Sequence, residues 1–155
     1  MNSDKKFGWL LVAIQFMLIG VFFIVIYLET GFRTNASAEL KTTGLILCIL
    51  SLLVIIYSFI SFRQPISPNP VPLQDSKLVT SGIYSKIRHP IYLSVIIAFL
   101  GISTFFYALN LYIVWIIAVL FLIFKISKEE TYLLKKFPEY AEYRQKSWKL
   151  MPYLY

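Results

Sequence analysis

The amino-acid sequence predicts an all-α membrane protein with four transmembrane helices and a cytosolic C-terminal helical segment that completes a pocket beside the bundle. Three observations predict it. Of 155 residues, 58% are hydrophobic and 17% aromatic, too apolar for a soluble domain of this size. Apolar runs fall at 9–28, 44–62, 91–107 and 109–126, each about 17–20 residues, enough at ~1.5 Å per residue to cross the hydrocarbon core. The formal net charge of +7 gathers beside these runs, the pattern of basic segments retained on the cytoplasmic side. A single domain over 1–155 follows, with a cytosolic loop at 63–90 and a cytosolic tail at 127–155.

The first run keeps bulky residues throughout and has no small-residue cleavage pattern, so it reads as a retained span and not as a signal peptide. Lys5 and Lys6 outweigh Asp4 ahead of it, and the following loop balances Glu29 and Glu39 against Arg33 and Lys41. Ser37 is the expected N-cap of the second helix, ahead of Ala38-Glu39-Leu40. Asn35-Ala36-Ser37 matches a glycosylation acceptor on the outer side. Cys48 stands alone inside an apolar run, which excludes an intramolecular disulfide and a cysteine metal cluster. Between spans two and three, Arg63, Lys77, Lys86 and Arg88 face Asp75 alone, and Pro65, Pro68, Pro70 and Pro72 impose an extended arm. Spans three and four meet at Ala108 as a tight antiparallel hairpin, with Asn110 near the turn. An even number of spans puts both termini and every basic segment in the cytoplasm. Lipid, not nucleic acid, is therefore the partner that the basic charge implies.

The stretch Leu78 to Tyr92 marks the change from polar loop to membrane helix. Pro90 has no N–H and a fixed φ, so it suits the first turn of a helix beginning near Ile91. Backbone N–H groups of that turn lack helical partners and, beside Arg88 and His89, favour an anionic group. After span four, 125–137 keeps helical spacing until Pro138, and a short helix over 139–146 follows. Glu130 shares a face with Ile126, Leu133, Leu134 and Phe137, so its carboxylate needs a cationic or hydrogen-bonding partner.

Taken singly, each of these residues has a structural reading. His89 is the only histidine, which excludes metal sites built from several, and beside Arg88 it serves as a headgroup contact. Tyr140, Tyr143, Trp148 and Tyr153 read as an interfacial aromatic belt, and Gln15 as interhelical glue. Taken together they converge. A proline-rich arm, a Gly-Ile-Tyr turn, Arg-His-Pro opening a hairpin and Glu-Glu at its far end meet on one membrane face, because the hairpin returns the chain to its start. Such a pocket pairs glutamate with an ammonium or ribose hydroxyl, and Tyr84 or Tyr92 with a flat base or soft cation.

In order and spacing, Leu78-Val79-Thr80-Ser81-Gly82-Ile83-Tyr84, Arg88-His89-Pro90-Ile91-Tyr92, Glu129-Glu130, Glu139-Tyr140-Ala141-Glu142-Tyr143 and the late Pro152 resemble the C-terminal signature of the isoprenylcysteine carboxyl methyltransferases and the related phospholipid methyltransferases. The resemblance covers about half of the chain, from Asn69 to Pro152. It implies S-adenosylmethionine as cofactor, with Leu78, Val79, Tyr84, His89, Pro90, Ile91, Tyr92 and Glu129 as its contacts, joined by Ser76, Lys77, Asn69 and Glu130. It also implies a lipidic or prenylated methyl acceptor, met by Lys125 and Arg88, and no metal. Ser94 stands where many relatives have glycine, and Lys125 where related enzymes carry an arginine that faces a substrate carboxylate. Lysine keeps the charge but loses the bidentate fork.

On that resemblance the leading expectation is isoprenylcysteine carboxyl O-methylation, and the alternative is phospholipid N-methylation. A carboxylate acceptor needs no general base, whereas an amine must first lose a proton, with the glutamate pair or a water as its acceptor. No residue is assigned a catalytic role. Two rivals stand beside this reading: a membrane sterol-type reductase, which opens a helix with a similar His-Pro-x-Tyr segment, and a non-catalytic membrane scaffold whose basic loops bind headgroups.

Overall fold

A computed structural model describes residues 3–30 and 36–151. They form α1 (Ser3–Thr30), α2 (Ala38–Phe62), a single 3-10 turn (Gly82–Ser85), α3 (Pro90–Phe106), α4 (Leu109–Lys136) and the short α5 (Tyr140–Lys146). Asp4 lies in the first turn of α1, where its charge complements the helix dipole. Ser37 caps α2 as its sequence demands, its hydroxyl accepting the Leu40 N–H at 3.4 Å. Asn35 and Pro152 to Tyr155 lie outside the described residues, and with them the glycosylation acceptor and the last aromatic residues of the tail.

Hydropathy located the apolar cores of the helices and the length of α3, but not the full lengths of α1, α2 and α4. Three helices are long and apolar enough to cross a membrane, α1, α2 and α4, whereas α3 is a shorter apolar helix of 17 residues. The third apolar run is thus found within a residue of its expected bounds, while the helices that carry the other three extend beyond theirs. Helix ends are set by caps and breakers, which a hydropathy window does not weigh. Pro90 occupies the first position of α3, and Tyr107 ends it in a left-handed conformation, φ 49°, with its N–H on the Ser103 carbonyl. Only Tyr107 and Ala108 separate it from α4, so Asn110 belongs to the first turn of α4, where its amide donates to Glu29 at 2.6 Å. Helix α4 has no breaker and carries Lys125, Glu129 and Glu130 on one continuous rod as far as Lys136.

The helices neighbour one another in the order α2, α3, α4, α1. Small residues bring α2 and α3 together: a Cβ on Gly44 would stand 2.6 Å from the Gly101 carbonyl oxygen. Within that contact the Ser51 hydroxyl donates to the Ser94 carbonyl at 2.8 Å. On the other side, Phe22 of α1 stacks on Phe99 of α3 at 4.0 Å over a core of Ala108, Leu111, Val114 and Ala118. Elsewhere the apolar surface faces outward. Of the most apolar window of α2 only 11% is buried, with Ile46, Leu52, Leu53 and Ile60 all exposed, as a lipid-facing helix requires.

The tail closes on the α3–α4 hairpin. Leu150 packs with Leu93 and Ile126, and Ile87 pairs with Trp148 in a parallel bridge. That bridge puts α5 above the start of α3.

Candidate functional site

A cavity of about 290 Å³ opens where the proline arm, the 3-10 turn, the start of α3, the far half of α4 and α5 meet. Its position follows from the hairpin: α3 leaves this end of the bundle and α4 returns to it. Gly82 starts the turn at φ 61°, a conformation that glycine adopts without strain, and a side chain there would strike Ser61. The Ile83 N–H then bonds the Ser61 hydroxyl at 3.4 Å, and Tyr84 is carried inward against Phe62.

Asn69, Ser76, Lys77, Leu78, Val79, Tyr84, Arg88, His89, Ile91, Tyr92, Lys125 and Glu129 all line this cavity. Pro90 and Glu130 do not. Pro90 is buried as the opening residue of α3. Glu130 is buried behind the wall, its Oε1 accepting from Arg88 Nε at 2.9 Å and from the Tyr140 hydroxyl at 3.2 Å. Those are the partners that its place on an apolar face called for.

Glu129 is half-buried and accepts the Tyr92 hydroxyl at 2.7 Å. Among the described residues it is the one carboxylate that lines the cavity. Lys125 has no exposed surface; its ammonium donates to Gln15 Oε1 and lies 5.5 Å from the centre of the Tyr92 ring. Gln15 thus binds α1 to α4 and reaches the cavity as well.

The arm forms the facing wall. Gln64 and Lys77 close its base with two hydrogen bonds of 2.9 and 3.0 Å. Asn69 folds the tip by accepting the Val71 N–H, and its amide donates to the Lys5 carbonyl of α1. Lys136 holds the return limb at the Leu73 and Gln74 carbonyls and the Ser76 hydroxyl. The sequence brought the arm to this pocket and named Asn69, Ser76 and Lys77 on it, but did not name its prolines as lining, nor Leu133 of α4 and Phe137 just beyond it, because prolines signal shape and not contact.

Tyr140 and Tyr143 also differ from expectation. Tyr140 is 1% exposed and both rings line the cavity, so neither belongs to an interfacial belt. The Tyr143 hydroxyl donates to the Tyr84 carbonyl at 2.5 Å. Burial pushes the Tyr143 phenol up to about 12, and the Tyr84 phenol is raised for the same reason, so both stay neutral donors at physiological pH.

Among the described residues, two buried polar atoms on the wall have no hydrogen-bond partner, the Tyr84 hydroxyl and His89 Nε2. His89 Nε2 faces Glu130 Oε1 at 3.4 Å, close enough for charge attraction but without hydrogen-bond alignment. Orphaned polar atoms of this kind are costly unless a ligand meets them. Together with Glu129, the Tyr92 ring and the apolar arm, they fit a small molecule that carries ammonium, hydroxyl and aromatic groups. S-adenosylmethionine is such a molecule.

A family model described as phospholipid methyltransferase matches residues 40–140, more than half of the chain. No curated protein matches the chain.

Proposed function

Because the chain belongs to the phospholipid methyltransferase family, we propose that it transfers a methyl group from S-adenosylmethionine to a lipid acceptor at the cytoplasmic rim of a membrane, and that the acceptor is a phospholipid headgroup amine. The observation that carries this reading is the pair of orphaned polar atoms, Tyr84 Oη and His89 Nε2, on the wall that Glu129 shares. When bound, the sulfonium supplies an electrophilic methyl, so the protein has mainly to align the reactants and keep water away. Tyr84 and His89 hydrogen-bond polar groups of the bound molecule. Glu129 offers the negative charge that a cationic ligand needs, oriented by the Tyr92 hydroxyl. Leu78, Val79, Ile91 and the proline arm would exclude water from the bound molecule.

An amine arrives protonated and gives up a proton before attack. Glu130 is engaged by Arg88, so Glu129 takes that proton, directly or through water. The acceptor enters sideways from the lipid, four spans cross the bilayer, and both termini lie in the cytoplasm.

One observation favours a second acceptor class. Lys125 places a buried ammonium beside the cavity, and a cation there attracts a carboxylate and repels an amine. A prenylated cysteine carboxylate is therefore the alternative substrate. Purified protein given methyl-labelled S-adenosylmethionine with a panel of phosphatidylethanolamines and prenyl-cysteine thioethers decides between them. Label in an amine headgroup supports the main reading, and label as a base-labile methyl ester supports the second. A folded protein that binds no cofactor and labels neither acceptor overturns both.

A further inference from the structure

Glu130 stands outside the cavity wall, yet three parts of the chain converge on it. Besides Arg88 and Tyr140 on Oε1, it faces Lys149 at 4.0 Å through Oε2. Arg88 in turn reaches the tail, its Nη1 donating to the carbonyls of Arg144, at 2.9 Å, and Ser147. The backbone adds three bonds to the same joint: Arg88 N–H to the Trp148 carbonyl and Trp148 N–H to the Lys86 carbonyl, each 2.8 Å, and His89 N–H to the Lys149 carbonyl at 3.2 Å. A carboxylate on α4, a guanidinium ahead of α3 and the tail thus form one clasp.

A buried ion pair is a poor source of stability, since desolvation offsets most of its attraction. The tail already has an apolar anchor in Leu150 against Leu93 and Ile126. What the pair adds is fixed geometry. The side chains around it, Arg88, His89 and Tyr140, all line the cavity, whereas the carboxylate that gathers them does not.

We infer that Glu130 is a positioning residue: it clasps the tail closed over the cavity and sets the His89 and Tyr140 rings on its wall, without itself touching the bound molecule. The identity of that molecule rests on the methyltransferase reading; the clasp does not. A ligand that fits only the closed wall stabilises the clasp to the same extent as the clasp favours the ligand.

The test uses the full chain in detergent micelles, with S-adenosylhomocysteine as probe. Hydrogen exchange is followed at the Arg88, His89 and Trp148 amides, and binding by calorimetry. Glu130→Gln keeps the shape and one acceptor; it speeds exchange at these amides and weakens binding about tenfold. Saturating probe restores the protection. Glu129→Gln weakens binding but leaves exchange as in the wild type. Should Glu130→Gln fail to fold, Tyr140→Phe, which removes one donor from the clasp, gives the same comparison. Unchanged exchange overturns the clasp. Faster exchange with full affinity overturns its service to the cavity, and weaker binding with unchanged exchange makes Glu130 a direct contact. A wild-type protein that binds no probe sinks the methyltransferase reading and the positioning role with it, while the exchange arm still decides the clasp.

Discussion

Tyr84 separates ligand binding from stability better than any other side chain in the site. Its hydroxyl is buried with no partner, so Tyr84→Phe removes a polar group that contributes nothing to the free protein. The variant is expected to melt at the wild-type temperature or higher, by up to about 1 kcal/mol, and yet to bind S-adenosylhomocysteine severalfold more weakly. Unchanged binding would remove Tyr84 from the site. Arg88 is the opposite case. Its side chain and that of Glu130 are both 6% exposed, so Arg88→Ala strands a buried carboxylate and costs about 3 kcal/mol, read as a lower thermal midpoint; Arg88→Lys costs less. Since the phenols of Tyr84 and Tyr143 are raised by burial, neither produces a limb in the pH–rate profile near the ordinary tyrosine value of about 10. By resemblance Glu129 came first as a contact and Glu130 only joined it; neighbours on a helix point about 100° apart, and packing puts Glu129 on the cavity and Glu130 behind its wall.

Helix α3 is the element on which the site depends, and its grip on α2 is steric. Gly44→Val drives a side chain into the α3 backbone, where a Cβ would already stand 2.6 Å from the Phe105 nitrogen. The expected cost is about 1–3 kcal/mol, read by thermal unfolding, with loss of cofactor affinity as α3 shifts. The proline arm is held by polar contacts at few points. Lys136→Met removes the donor to Leu73, Gln74 and Ser76, and the segment 73–77 should then be cut faster by protease in the ligand-free protein, with saturating cofactor slowing the cut. Equal cutting rates in wild type and variant would show that Lys136 does not hold the arm. Prolines announced an extended segment, and the lack of breakers announced the length of α4, because both are local properties of the backbone. That the arm joins the pocket was legible, but how it is pinned there was not, since that depends on Gln64 meeting Lys77 and Lys136 meeting Leu73, contacts remote in sequence.

For the whole molecule, the testable quantity is topology. With Cys48→Ala as background, a cysteine at the exposed Ser85 should react with an impermeant reagent from the same side as one at Ser3, and a cysteine at Ser37 from the other. Labelling of Ser85→Cys and Ser37→Cys from one side would overturn the four-span arrangement. It would leave the cavity intact, because the site is built at one end of the bundle from segments that contact one another directly.

The sequence by itself determined that the chain is helical and apolar, where α2, α3 and α4 begin, that its basic segments gather at one end, and which blocks of residues resemble membrane methyltransferases. These are matters of composition, local backbone preference and the order of residues along the chain. Only the tertiary structure decided that Tyr140 and Tyr143 turn inward, how the arm is pinned as a wall, and that Glu130 lies behind that wall, bonded to Arg88 and Tyr140. Each of those depends on which side chains meet across tens of residues, and that is fixed by packing.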